Sequence, residues 1–277
     1  IGIEGKITNS YGSSPSTGLL TIPSDNKPLY YGNIIYKPDA EDTFLEPLNE
    51  RDKLISHGGI TVTNALMPKA GTSQFNINYD SKGNLFGFYG YSLSNIFQLE
   101  LINVSSFNDV NIKGNKNSNL YSTYLSENNI NYRLGGKLLI FSPQKNDLLW
   151  MTLRTSVGRN DETNQGYLFT ELINTLGFND RIAFNVSTKY FFSGIESFGG
   201  IGVSSYINIL DNLQLIPEIN SSLKNDSNFN SSLALRYSFQ PGKSIDLYYS
   251  NAEGLQDIGQ LLEDKEYRFG IKLNFLY

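Results

Sequence analysis

Glu266-Tyr267-Arg268-Phe269-Gly270-Ile271-Lys272-Leu273-Asn274-Phe275-Leu276-Tyr277 closes the chain, and its reading decides the fold. Tyr267, Phe269, Ile271, Leu273, Phe275 and Tyr277 alternate with Arg268, Gly270, Lys272 and Asn274. Successive side chains of a strand point to opposite faces, so one face here is apolar and aromatic and the other polar and cationic. Taken alone, such a strand suits the edge of a soluble sandwich with its apolar face inward. Whether that face meets a core or lipid depends on the rest of the chain.

Composition favours lipid. Hydrophobic residues make up only 39%, yet there are 18 Tyr and 17 Phe. Charged residues are 18%, below the roughly one-quarter usual in soluble proteins. Polar residues inside, apolar ones outside and aromatic girdles would give this balance. The net charge of −5 excludes a nucleic-acid partner, because no excess of Lys and Arg is available to pair phosphates. The absence of Cys excludes disulfides and Cys-ligated metals and suits passage through an oxidising periplasm. No apolar run reaches the ~18 residues of a membrane helix. No leader is present, so Ile1 is expected to begin a mature chain.

Strand-like segments recur along the chain. They are Leu29–Lys37, Gly58–Leu66, Thr72–Tyr79, Leu85–Leu93, Ile96–Val104, Ile130–Phe141, Leu148–Val157, Tyr167–Leu176, Ile182–Phe191, Ile201–Leu210, Leu213–Leu223, Ser231–Phe239, Ser244–Ser250 and Tyr267–Tyr277. Many keep a two-residue period: Ile182, Phe184, Val186 and Tyr190 oppose Ala183, Asn185, Ser187 and Lys189. Leu85–Leu93 and Tyr167–Leu176 do not reveal which face is which. Connections alternate between tight, as at Asp211-Asn212 and Gln240-Pro241-Gly242-Lys243, and long, as at Asn251–Glu266 and Ser105–Asn129. A soluble sandwich has no reason to hold that phase, whereas a membrane barrel has short turns on one side and long loops on the other. The expected fold is all-β: a transmembrane antiparallel up-and-down barrel of about fourteen strands, or about twelve, over residues 28–277. Residues 1–27 are expected as an extended arm or plug. Pro217 inside a strand suggests a bulge or bend.

Arg268, Gly270, Leu273 and Phe275, with Tyr277 last, resemble the C-terminal strand of bacterial outer-membrane β-barrels. That resemblance implies recognition of Gly270, Leu273, Phe275 and Tyr277 by the barrel-assembly machinery, and a bacterial outer membrane with its lipid and lipopolysaccharide as surroundings. It also makes the Tyr277 end periplasmic and pairs the last strand with Leu29–Lys37 to close the barrel. Thr17-Gly18-Leu19-Leu20-Thr21-Ile22-Pro23 is similar to the opening of YjbH-type barrels, which accompany exopolysaccharide secretion.

On this register Arg133, Lys137, Arg154, Lys189, Arg236, Arg268 and Lys272 line the lumen, together with Glu100, Glu171, Glu218 and Asp246. Lys or Arg facing lipid near mid-membrane would cost ~2–4 kcal/mol each, so the wet face is their place. They form either a mixed set of ion pairs or a cationic wall opposite an acidic one that biases passage towards anions. His57 is the single histidine, expected where an external loop meets a strand; neighbouring Ser56 would face away from it, so no nucleophile–base pair forms. No catalytic residue, metal cluster or cofactor site is expected. Loop pairs such as Glu41-Asp42, Asp161-Glu162 and Glu263-Asp264 suit solvent or bridging cations. The leading expectation is a channel for small hydrophilic solutes, narrowed by Ser105–Asn129 or residues 1–27. The second is an accessory barrel in surface-polysaccharide export, with a polysaccharide or periplasmic partner. The third is a lipid-acting barrel enzyme depending on His57.

Overall fold

The computed structural model describes residues 57–106, 131–142, 149–160, 164–179, 181–224 and 229–277 and, upstream, the short strands β1 (Tyr30–Tyr31) and β2 (Ile34–Ile35). β1 and β2 pair antiparallel within a separate N-terminal unit, Ile1–Leu48. The expected arm at 1–27, with Thr17–Pro23, and nearly all of the Ser105–Asn129 loop lie outside the described residues.

The second unit holds a closed twelve-stranded antiparallel barrel. Its strands are β3 (Ser73–Asp80), β4 (Asn84–Ser94), β5 (Phe97–Ser106), β6 (Asn131–Phe141), β7 (Leu149–Asn160), β8 (Gln165–Gly177), β9 (Ile182–Ser193), β10 (Ser197–Leu210), β11 (Leu213–Ser222), β12 (Phe229–Gln240), β13 (Lys243–Ala252) and β14 (Glu263–Leu276). Each pairs with its sequence neighbours, and β14 closes the ring on β3, with Leu273 opposite Ile77 and Phe275 opposite Phe75. The Ser73 and Tyr277 backbones exchange hydrogen bonds of 2.8 and 2.9 Å at that seam. Closure removes the open strand edge.

Two expected strands are therefore corrected. Gly58–Leu66 forms no strand, and Leu29–Lys37 is not the closing partner, since β3 takes that place. The lower strand count follows. The ladder to β12 also runs in unbroken register through Pro217, so no bulge marks it.

The alternation sorts side chains as a membrane barrel requires. Along β9, Ala183, Asn185, Ser187 and Lys189 are buried inside, while Phe184, Val186 and Tyr190 are exposed outside. Aromatic pairs decorate the outer face: Tyr249 stacks on Tyr267 at 4.5 Å, and Phe275 lies 6.2 Å from Tyr277. Leu247, 53% exposed midway along β13, faces outward among Leu235 and Ile271. Leu247→Arg should lower the folding free energy in vesicles by ~2–4 kcal/mol, and Leu223→Arg, beyond the end of β11, by ~0–1 kcal/mol. Denaturant titration of both variants checks this; equal effects would contradict a lipid-facing exterior.

Candidate functional site

Twelve strands ~4.8 Å apart and tilted ~40° close a ring roughly 24 Å across between backbones, wide enough to stay water-filled after side chains are placed. Here the lumen is filled. All eleven predicted lumen charges are buried inside the barrel, Arg154 at 2% exposure and Glu171 at 0%. Charged side chains of an open pore would be wet. What covers them is two inserts, one from each end of the barrel.

The first insert is His57–Met67. It lies at the end carrying the Asp211-Asn212 and Pro241-Gly242 turns, here the turn end, and leads into β3, which begins at that same end. Gly58-Gly59 lets it double back, with Gly59 N–H donating to Val62 C=O at 3.0 Å. A Cβ on Gly59 would run into the Glu218 carboxylate, so a close approach demands glycine there. Ile60, Thr61, Val62 and Ala65 are fully or almost fully buried. Ile60 and Ala65 pack into a cluster with Trp150, Ile173, Tyr206 and Ile216 of the inner wall.

The second insert is the β13–β14 connection from the opposite mouth. It carries a 3-10 turn at Asp257–Leu261, and Asp257 sits at φ 51, a left-handed conformation that Asp tolerates better than most residues. Ile258, Leu261 and Leu262 pack against Tyr167, Phe169, Phe191 and Phe198 of the wall. Asp257 accepts from Arg133 at 3.2 Å and from the Tyr167 hydroxyl at 2.9 Å.

The inserts meet at Lys189. Its ammonium donates to the Thr61 carbonyl at 2.9 Å, to Gln260 Oε1 at 2.5 Å and to Asn220 Oδ1 at 2.7 Å, and lies 3.7 Å from Glu171. One wall residue thus holds the tip of each insert. Elsewhere in the lumen a cavity of about 30 Å³ lies between Asp80, Arg133, Gln256 and Arg268, enough for a water or two.

The charges are interleaved around the wall, on adjacent strands or one strand apart. Arg154 bridges Glu100 at 2.6 Å and Glu171 at 2.7 Å, Arg236 grips Asp246 at 2.7 and 2.8 Å, and Arg268 pairs with Asp80 at 3.1 Å. The mixed set of ion pairs describes this arrangement, and opposed walls of single sign do not. Among the described residues the interior holds seven basic and six acidic side chains. Lys137 and Lys272 reach the first insert, donating to the Leu66 and Gly59 carbonyls at 2.6 Å each. Gly270 faces inward beneath the Tyr248 ring, which occupies the space a Cβ would need. Leu273, Phe275 and Tyr277 lie on the outer face.

This is the fold of outer-membrane channels. The chain is similar to the KdgM porin at 7% identity with a TM-score of 0.53, covering 74% of this chain and 98% of that one. It is similar to an outer-membrane channel from Pseudomonas putida F1 at 9% identity with a TM-score of 0.52, covering 77% and 98%. The NanC porin follows at 8% identity and a TM-score of 0.50, covering 73% and 98%. No family model and no curated protein matches the sequence. The closed barrel with its apolar exterior is a bacterial outer-membrane protein.

His57 lies at the turn end, buried on the first insert, instead of at an external loop–strand junction. Its carbonyl accepts from Arg236 at 3.1 Å. Among the described residues no group of His and carboxylates is arranged to hold a metal. Sequence reasoning missed Asp80, Asp257, Gln260, Thr61 and Asn220. The signal available for Asp257 and Gln260 was the apolar set Leu255, Ile258, Leu261 and Leu262 inside a connection read only as long.

Proposed function

We propose that the protein is a gated outer-membrane channel for small hydrophilic solutes, here in its closed state. The observation that carries this reading is the junction at Lys189, where a single wall side chain holds inserts from both mouths by hydrogen bonds. Such bonds from a charged donor exchange with water at a net cost of ~1.5–3 kcal/mol each, small enough for the closure to be reversible. Behind the inserts stands a wall rich in paired charges and amides, the lining a hydrated solute requires. The balance of seven basic and six acidic residues favours weak selectivity between anions and cations.

The test is swelling of proteoliposomes in isotonic small sugars, comparing the intact chain with Lys189→Met. Methionine keeps most of the length of the side chain and removes all three donors. Swelling should be slow for the intact chain and severalfold faster for Lys189→Met. If both match protein-free liposomes while the barrel is folded, the reading fails.

A further inference from the structure

The wall at the turn end meets the first insert mainly through the insert's main chain. Glu218 accepts the N–H groups of Ile60 at 2.8 Å and Thr61 at 2.6 Å. Arg236 donates to the His57 and Gly58 carbonyls, Lys272 to Gly59, Lys189 to Thr61 and Lys137 to Leu66. Thr175 Oγ1 accepts the Ala65 N–H at 2.8 Å. Five of the charged wall residues thus read peptide groups. Between them lies an apolar seat of Trp150, Ile173, Tyr206 and Ile216 that receives Ile60 and Ala65.

A wall that only bounds a water path has no use for such a seat, because aromatic and branched side chains facing water forgo their burial energy. Main-chain hydrogen bonding combined with pockets for particular side chains is how proteins bind peptides. The insert itself contains no Lys, Arg, Asp or Glu, so nothing in it competes with the wall's own ion pairs.

The geometry points to a peptide-binding site in the turn-end half of the lumen, filled in cis by residues 57–67. It takes in trans a short peptide free of Lys, Arg, Asp and Glu, with a Gly-Gly turn followed by an aliphatic residue. This holds whether or not solutes cross the barrel, so its test involves no transport.

The full chain is prepared with residues 57–67 replaced by a Gly/Ser linker of equal length. A fluorescent synthetic peptide of sequence His57–Met67 is added in detergent, and anisotropy is read. Saturable binding is expected for the linker chain. The intact chain should show none, since its own insert occupies the site. Glu218→Gln in the linker chain should weaken binding by about tenfold or more, and Lys272→Met should weaken it as well. If Glu218→Gln fails to fold, judged by heat-modifiable gel migration, Lys272→Met carries the comparison. Three results overturn the proposal: no saturable binding up to about 1 mM peptide, equal binding by intact and linker chains, or affinity indifferent to the wall substitutions.

Discussion

Replacing residues 57–67 and 254–262 together by Gly/Ser linkers of equal length is expected to convert a silent barrel into a conducting one. The strand ladder does not depend on either insert for its backbone hydrogen bonds, so the ring of roughly 24 Å should survive. With both inserts gone, the Arg154, Lys189 and Glu218 side chains become wet and a continuous aqueous path opens. In a planar bilayer the intact chain should show little current and the double variant resolved unit steps. Replacing one insert alone should give an intermediate result, because the other still reaches Lys189 from its own end. A folded double variant that carries no current would sink the channel reading. The linkers also remove the contacts of Ile60 and Leu261 with the wall, so the double variant should unfold at lower denaturant concentration than the intact chain.

Arg154→Met is expected to cost ~3–5 kcal/mol of stability, the usual effect of removing one partner from a buried ion cluster. Arg154 donates to Glu100 at 2.6 Å and to Glu171 at 2.7 Å, with Gln256 of the second insert at 3.2 Å. Methionine would leave two carboxylates in a dry interior, with Lys189 3.7 Å from Glu171 as the remaining partner of that residue. Lys224→Met supplies the contrast. Its bond to Glu196 is as short, 2.8 Å, but both side chains are substantially exposed, so the loss should be ~0–1 kcal/mol. Urea unfolding from vesicles measures both. Similar losses would mean that Arg154 sits in a hydrated lumen and that the inserts do not exclude water.

The pattern of residues already carried much of this. Alternation along segments such as Ile182–Tyr190 and Tyr267–Tyr277 showed which side chains point inward, and the eleven charges it turned inward are buried. Where alternation failed, apolar side chains facing the lumen explain it. β8 is apolar on both faces because Tyr167, Phe169 and Ile173 point into the lumen and meet inserts instead of water. β4 was equally ambiguous because Phe86 and Phe88 form an inward cluster with Ile102. Gly58–Leu66 misled for the converse reason. Its Ile-Thr-Val-Thr run has strand propensity, but an element buried on every side has no wet face to impose a period, and its hydrogen bonds go to Glu218, Lys189 and Lys272 instead of a ladder.

By itself the sequence determined the β class, the lipid-facing exterior and the inward side of eleven charges, but not the loop lengths, since β3–β4 and β9–β10 are joined by only three residues each at the end expected to carry long loops. The first three are local properties, set by a two-residue period. The tertiary structure alone decided that β14 closes on β3, that Arg154 meets both Glu100 and Glu171, and that the lumen is occupied from both mouths. Lateral pairing depends on the stagger of strands around the ring, and the path of an insert depends on the cavity that receives it. Neither is written in the neighbours of any one residue.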